Sequence, residues 1–319
     1  MVSLPHLEDF DVERVHVHEP INVVLLCGGQ YKQNNDGPPL SLRDAFLNAV
    51  PPPSIMKEYE LIQAEEITQQ FNFSNFYDDI LKFETDIAQI VHLIILFCES
   101  QGALTELGAF SVIDEIMNRL FVIIDENYWS HDSFIKLGPL RRIVNKVGRH
   151  AIHVISDEDF GKNGKSLAQV NKSELVRVVE NSLKVRLEVK SSPRTFNKNY
   201  AGHIIKLIVG LTQEYGALTE REIIHALKFF GVEKEEKEIK GYLLCACAVN
   251  WIFIVSKGIE DYYLPTNEVS ESGKDAAVFS MKSDSKEKNK MRRRVMIRDC
   301  WKSQDEVRYS ALRKSNNGV

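Results

Sequence analysis

Apolar residues in the first half of the chain fall into short, unbroken runs separated by stretches of helical length. The runs are Ile21-Asn-Val-Val-Leu-Leu-Cys27, Val91-His-Leu-Ile-Ile-Leu-Phe97, Leu120-Phe-Val-Ile-Ile-Asp125 and Ala151-Ile-His-Val-Ile155, with a weaker one over 59–64. Between and after them, 42–50, 76–89, 105–117, 139–147 and 174–189 carry helical patterns. Strands that are apolar on both faces and alternate with helices predict a parallel sheet covered on both sides, joined by right-handed crossovers. The expected fold is therefore α/β with an open parallel sheet over 20–190, preceded by an N-terminal extension, 1–19.

The pattern changes after Ser191-Ser192-Pro193, which reads as a linker. A helix is expected over 200–215, stopped by Gly216. Thr219-Glu-Arg-Glu222 has the spacing of a capping box, followed by Ile223, Ile224, Leu227 and Phe230 at helical intervals. Another helix over 234–250 and two short strands, 251–255 and 261–264, around Lys257-Gly258 complete the pattern of a small winged helix-turn-helix domain, 198–268. From 270 to 319 apolar content drops, although Val295, Met296, Ile297 and Trp301 indicate one short helix.

Composition adds one feature. The 319 residues are 44% hydrophobic and 27% charged with a net charge of -5, which suits a globular chain and excludes disordered and collagen-like classes. Residues 280–319, however, hold 12 Lys/Arg against 5 Asp/Glu, whereas the preceding residues hold 28 against 40. A basic appendage on an acidic body points to an anionic partner, most simply nucleic acid. The five cysteines form no disulfide framework and read as reduced thiols. No signal peptide or membrane span is expected, so the expected location is cytoplasmic, with no membrane partner.

In open parallel sheets, ligands bind beyond the carboxyl ends of the strands. After the first strand, Gly28-Gly29 suits either close approach of a ligand or merely a tight exit. After the strand ending at Phe97 comes Glu99-Ser-Gln-Gly-Ala-Leu-Thr-Glu-Leu-Gly108. Gly102 there is expected to turn into a helix whose free amides suit phosphate or sugar oxygens. Glu106 is expected in its first turn, near a ligand or simply complementing the helix dipole. Gly161-Lys-Asn-Gly-Lys-Ser166 is similar to a P-loop but has Asp159 where the first glycine belongs, and reads as a polar loop. The pairs His16/His18 and His150/His153 lack companion ligands, so no metal site is expected. Cys245-Ala-Cys247 reads as core.

The stretch Leu93-Ile-Ile-Leu-Phe-Cys-Glu-Ser-Gln-Gly-Ala-Leu-Thr-Glu-Leu-Gly-Ala-Phe-Ser111 resembles the signature of nucleoside 2-deoxyribosyltransferase-like domains, above all those of retron antiphage effectors. Leu26-Cys-Gly-Gly29 and Phe134-Ile-Lys-Leu-Gly-Pro-Leu-Arg141 resemble two further segments of these effectors. The resemblance implies a Rossmann-like deoxyribosyltransferase domain followed by a winged helix. It makes Glu106 the catalytic nucleophile and places Gly28, Gly29, Glu84, Glu99, Ser100, Gly102, Thr105 and Gly108 in substrate binding. Ser100 stands where the transferases often carry an aspartate, a departure that argues against a free deoxynucleoside. For Glu84 an ordinary exposed helical position is equally open. The resemblance further implies NAD as substrate, cleaved at its nicotinamide bond without a separate cofactor, and a toxic effector held in a higher-order complex with a reverse transcriptase and its small single-stranded DNA-RNA hybrid.

The helix expected to read DNA begins Glu233-Lys-Glu-Glu-Lys-Glu-Ile-Lys240, too acidic for base recognition. The stronger nucleic-acid candidates are Lys288, Lys290, Arg292, Arg293, Arg294 and Arg298 in the basic tail, unless that tail is only a solvated end. Two non-enzymatic alternatives stay open: a nucleotide-sensing DNA-binding regulator and an assembly subunit.

Overall fold

The computed structural model describes residues 4–32, 37–70, 73–162, 164, 166–188 and 193–315. By its contacts the chain divides into two units. One combines 1–21, 71–90 and 192–319; the other combines 22–70 and 91–191. The expected linker residues Ser191 and Ser192 lie outside the described residues, as do Asn163 and Lys165 of the loop that resembles a P-loop.

In chain order the strands are β1 (Phe10–Val17), β2 (Val23–Cys27), β3 (Glu60–Ile62), β4 (Leu93–Phe97), β5 (Leu120–Asp125), β6 (Ile152–Ile155), β7 (Arg194–Thr195), β8 (Leu218–Thr219), β9 (Ile252–Lys257), β10 (Glu260–Pro265) and β11 (Ala277–Met281). The second unit is α/β. Its five strands run in the order β3-β2-β4-β5-β6, all parallel. Every residue of β2 and β4 is buried, as expected of strands covered on both faces. The alternation of side chains then sorts them. Val24, Leu26, Leu93, Ile95, Phe97, Phe121 and Ile123 form one cluster with Leu42 and Phe46 of the helix Leu42–Leu47 and with Leu175, Val179 and Leu183 of the helix Lys172–Leu187. Leu25, Cys27, Ile94 and Leu96 therefore point to the opposite face.

The order has one functional consequence. The chain leaves β2 to one side for β3, then returns past it to β4 on the other side. The loops after β2 and β4 diverge, and a crevice opens between the carboxyl ends of these two strands.

The first unit is built on two antiparallel three-stranded sheets, β11-β1-β7 and β8-β10-β9. The residues read as an extension supply β1, which pairs Val15 with Phe279, His16 with Val278 and Val17 with Ala277. The helix Ile80–Ala88, which carries Glu84, falls in this unit and not with the parallel sheet. Its core is the helix Ala201–Tyr215, buried along its whole length. Gly210 is needed there, because a β-carbon at this position would lie 2.6 Å from the backbone nitrogen of Ala277. The expected capping box forms at the helix Glu220–Phe229: the Thr219 hydroxyl accepts from the Glu222 amide, and the Glu222 carboxylate accepts from the Thr219 amide at 2.8 Å.

The basic C-terminal segment is folded, with two helices, Lys290–Gln304 and Glu306–Ser315, where the sequence suggested one. The reason lies in partners far away in sequence. Arg293, 2% exposed, pairs with the buried Glu214. Arg294 bonds the same carboxylate at 3.1 Å and Asp275 at 2.9 Å. Trp301 donates its indole proton to the Tyr215 carbonyl at 2.9 Å, and Arg308 stacks 3.9 Å over the Trp301 ring while bonding Glu222 at 2.5 Å. Among the described residues no helix is long and apolar enough to cross a membrane, and no group of three or more His, Cys, Asp or Glu side chains could hold a metal ion. None of the five cysteines is in a disulfide.

Because Glu222 is buried and serves both the capping box and Arg308, removing the cation strands a carboxylate. Arg308→Ala is expected to lower the unfolding free energy by about 3–5 kcal/mol in a denaturant titration, and ending the chain at residue 289 to cost more still.

Candidate functional site

The site grows from the end of β2. Gly28 adopts φ +155, and a β-carbon there would lie 2.9 Å from that of Phe97; one on Gly29 would lie 2.7 Å from that of Ser41. The two glycines let the chain turn tightly beneath the next helix. That helix, Leu42–Leu47, starts at Ser41, whose hydroxyl accepts from the Asp44 amide at 2.9 Å. Its remaining free amides meet Glu99 from the end of β4. One Glu99 oxygen accepts from Arg43 N at 3.0 Å and Gly29 N at 3.2 Å, the other from Leu42 N at 2.5 Å. A carboxylate over a helix start is well placed electrostatically, and this one ties the ends of β2 and β4 together.

Arg43 turns inward and is 1% exposed. Its guanidinium donates to the carbonyls of Gly29 at 2.8 Å and Leu26 at 3.2 Å, on either side of Cys27, and to Glu65 through both terminal nitrogens at 2.7 and 3.2 Å. It also lies 5.0 Å from the centre of the Tyr31 ring, whose hydroxyl donates to Glu66 at 2.7 Å. Glu65 stands at the start of the helix Ala64–Gln70, just past the carboxyl end of β3.

Glu106 lies on the helix Gln101–Ser111, where it is half-buried. The helix starts earlier than the glycine suggested: Ser100 caps it, accepting from the Ala103 amide at 3.1 Å, so Gly102 is already helical and Glu106 belongs to the second turn. The Cys27 thiol lies beside the Glu106 carboxylate and favours its charged form. One carboxylate oxygen, Oε2, is fully buried with no hydrogen-bond partner among the described residues. Burial first, and the nearby Glu65 charge second, push its pKa up to about 7, against the opposing pull of Arg43 and the Cys27 thiol. Burial, with the charges of Glu106 and Glu99, also raises the Cys98 thiol far above its usual range, leaving it a neutral companion.

A cleft of about 850 Å³ opens over the same edge of the sheet, lined by Gly29, Ser41, Glu99 and Ser100 on one side and Asp125, Tyr128 and Lys162 on the other. Its floor includes Phe97, Ile123 and Ile155, from the face of the sheet that packs against Leu42 and Phe46. Cys27 points to the opposite face, so Glu106 approaches the strand ends from behind the cleft and is not among its lining residues. The cleft walls are polar but partly committed: Asp125 accepts from the Asn127 amide at 2.8 Å, and Lys162 pairs with Asp157 at 2.6 Å.

Of the residues singled out from the sequence, the second unit brings together Gly28, Gly29, Glu99, Ser100, Gly102, Thr105, Glu106 and Gly108. Thr105 is exposed and bonds the Gln101 carbonyl at 2.9 Å, and a β-carbon on Gly108 would meet nothing. Glu84 belongs to the other unit. In the basic segment Arg293, Arg294 and Lys290 are engaged with Glu214 and Asp275, while Lys288, Arg292 and Arg298 are exposed and make no ion pair among the described residues. Arg43, Glu65 and the role of Cys27 escaped the sequence reading. Counting the weak run over 59–64 as a full strand would have directed attention past its end to Glu65.

The chain is similar to known proteins over much of its length. A 244-residue alignment, covering 71% of this chain and 73% of the relative, gives 24% identity to the Escherichia coli protein named "Retron Ec73 putative ribosyltransferase/DNA-binding protein". A second Escherichia coli protein, "Retron Ec86 putative ribosyltransferase/DNA-binding protein", is 35% identical over 123 residues, 38% of this chain and 40% of the relative. The family described as "STM3845 retron effector protein" matches residues 39–254, from just before the helix that carries Arg43 into β9. The chain that folds Glu106 in behind this cleft belongs to that family of retron effectors.

Proposed function

We propose that this retron effector cleaves the N-glycosidic bond of a nucleotide, with Glu106 as nucleophile, and that its substrate is NAD, released as nicotinamide and an ADP-ribosyl product. The observation that carries the reading is the Glu106 carboxylate itself: half-buried near the Glu65 charge, with one oxygen fully buried and unpartnered, just behind the strand ends where a parallel sheet of this order receives ligands. The ribosyltransferase in the names of its relatives supports the same class of chemistry. Attack by the ionised carboxylate on the anomeric carbon forms a ribosyl ester, and the C–N electron pair leaves with the base; water then hydrolyses the ester. Nicotinamide departs as a neutral molecule from a positively charged ring, so protonation of the leaving group is unnecessary. A site holding two carboxylates and one guanidinium becomes net negative when Glu106 ionises, which favours a cationic ring over a neutral purine.

On this reading the second unit is a nucleoside deoxyribosyltransferase-like domain, and the helices around β8, β9 and β10 form a winged helix. The enzyme acts in antiviral defence in the cytoplasm, restrained by a reverse transcriptase and its DNA-RNA product. A second reading, binding without turnover, draws on one observation, the absence of Glu106 from the lining of the cleft. Free nicotinamide measured after incubation with NAD separates the two. Intact NAD bound with no nicotinamide formed would leave only the second.

Glu106→Gln is expected to reduce nicotinamide release by about a thousandfold or more, with the chain still folded. For the wild type, kcat/KM should rise with pH through a midpoint near 7 as Glu106 ionises. Stability should move the other way. The folded carboxyl holds its proton more tightly than the unfolded one, so stability declines as pH rises from the ordinary glutamate range through about 7. Glu106→Gln should therefore be the more stable protein above pH 7, by about 1–3 kcal/mol in chemical denaturation.

For nucleic acid, the exposed Lys288, Arg292 and Arg298 are the contacts expected to release counterions. Replacing all three with Gln should weaken binding to a DNA-RNA hybrid and flatten its salt dependence, by about 0.7–0.9 in log-log slope per lost contact. An unchanged slope would place that surface elsewhere.

A further inference from the structure

The first unit holds another cavity, of about 380 Å³, that the proposed reaction does not involve. It lies where β1 ends between β7 and β11: Val17 pairs with Arg194 on one side and with Ala277 on the other, and His18, Pro193 and Ala277 line it there. The loop 273–275, the start of the helix Lys290–Gln304 and Glu214 from the helix Ala201–Tyr215 supply polar walls. The charges on these walls do not balance. Lys290 and Arg294 both bond Asp275, at 2.5 and 2.9 Å, and Arg294 shares Glu214 with Arg293, so three cations meet two carboxylates. Lys274 and Lys288 line the same cavity, exposed and without an ion pair among the described residues, and raise the excess to three positive charges. The Lys288 ammonium is held by the Ser283 carbonyl at 2.9 Å. Cations gathered in a concave site repel one another and focus their field on an anion that enters it.

We infer that this cavity binds the phosphate monoester of a nucleotide, with Lys274 and Lys288 as its contacts and the Lys290–Asp275 and Arg293–Glu214 pairs as the frame that holds the walls. A monoester carries close to two negative charges and three acceptor oxygens near neutrality. That matches the local excess better than a backbone diester, which carries one charge. The cavity is of a size that takes a small molecule and not merely an ion, and Pro193, Val278 and Phe279 give it apolar lining for sugar and base. Arg292 and Arg298 lie exposed on the helix whose start lines the cavity, so a strand whose end enters it has further cations to run along. The monoester is carried by such a strand end or by a free mononucleotide, and the chemistry recognised is the same. The inference extends the nucleic-acid contact proposed above and is independent of Glu106.

Isothermal titration calorimetry of the full chain with paired probes tests it. One pair is a short DNA strand bearing a 5′ or 3′ phosphate and the same strand with hydroxyl ends; the other is adenosine 5′-monophosphate and adenosine. The phosphorylated member is expected to bind about tenfold tighter or more, in the strand pair if the ligand is a strand end and in the adenosine pair alone if it is a free mononucleotide. Lys274→Gln combined with Lys288→Gln, both at exposed positions, should abolish that preference. Arg292→Gln combined with Arg298→Gln should weaken both strands alike and leave the preference in place. Glu106→Gln should also leave it, which separates this cavity from the cleft of the second unit. Equal affinity within both pairs, inorganic phosphate binding as tightly as the preferred probe, or a preference that survives the double lysine variant would overturn the proposal. Strands bound equally well with and without the phosphate, together with no preference for the monophosphate over adenosine, sink this inference and leave the nucleic-acid contact standing. Strands that do not bind at all sink that contact, and the adenosine pair then decides the cavity.

Discussion

A guanidinium sealed at the end of a parallel strand organises the second unit around itself. Carbonyls at a strand's carboxyl end have no further strand to accept from, and Arg43 supplies donors to two of them while its remaining charge meets Glu65. Much else follows from that placement. The helix bearing Arg43 must start immediately beside the strand end, which requires Gly28 and Gly29 in the turn. Its first amides then face inward, and Glu99 satisfies them from the neighbouring strand. The residues that looked like ligand contacts in the sequence are thus partly the masonry of the crevice, and Ser100, Glu99 and Asp125 each cap a helix while also lining the cleft.

The strands were legible because their burial is written directly in composition: a run such as Leu93-Ile-Ile-Leu-Phe97 has no polar face to offer water. The nucleophile candidate was legible through its motif. What could not be read was anything dependent on partners distant in sequence. Arg43 and Glu65 are separated by a strand and look like ordinary surface charges, and Cys27 looks like a small hydrophobe ending a strand. The helix over 101–111 began ahead of the expected position because Ser100 outcompetes Gly102 as the local signal, its hydroxyl capping the Ala103 amide. The long helix expected over 105–117 divides at Val112-Ile113 into two pieces, a break that propensity alone does not announce.

The basic segment teaches the same lesson with the opposite sign. Seven excess positive charges suggested an appendage, yet Arg293 and Arg308 are among the most buried charged residues of the chain because Glu214 and Glu222 await them. Charge segregation along a sequence does not distinguish cations that meet an external anion from cations that meet an internal one. Of the six cations singled out from the sequence, Lys288, Arg292 and Arg298 keep the property that drew attention to the run.

The first unit is assembled from both ends of the chain: β1, made at residues 10–17, finds its ladder partner β11 at 277–281, and the Glu220–Phe229 helix receives Arg308 at its start. The second unit, by contrast, has all its strands by residue 155 and its last helix by 187. During synthesis the parallel sheet can close while the first unit still waits for its final strand and helices. The order of manufacture is therefore fixed by topology. The part carrying Glu106 is complete first, and the part built with the helices Lys290–Gln304 and Glu306–Ser315 cannot be finished until those helices have been made.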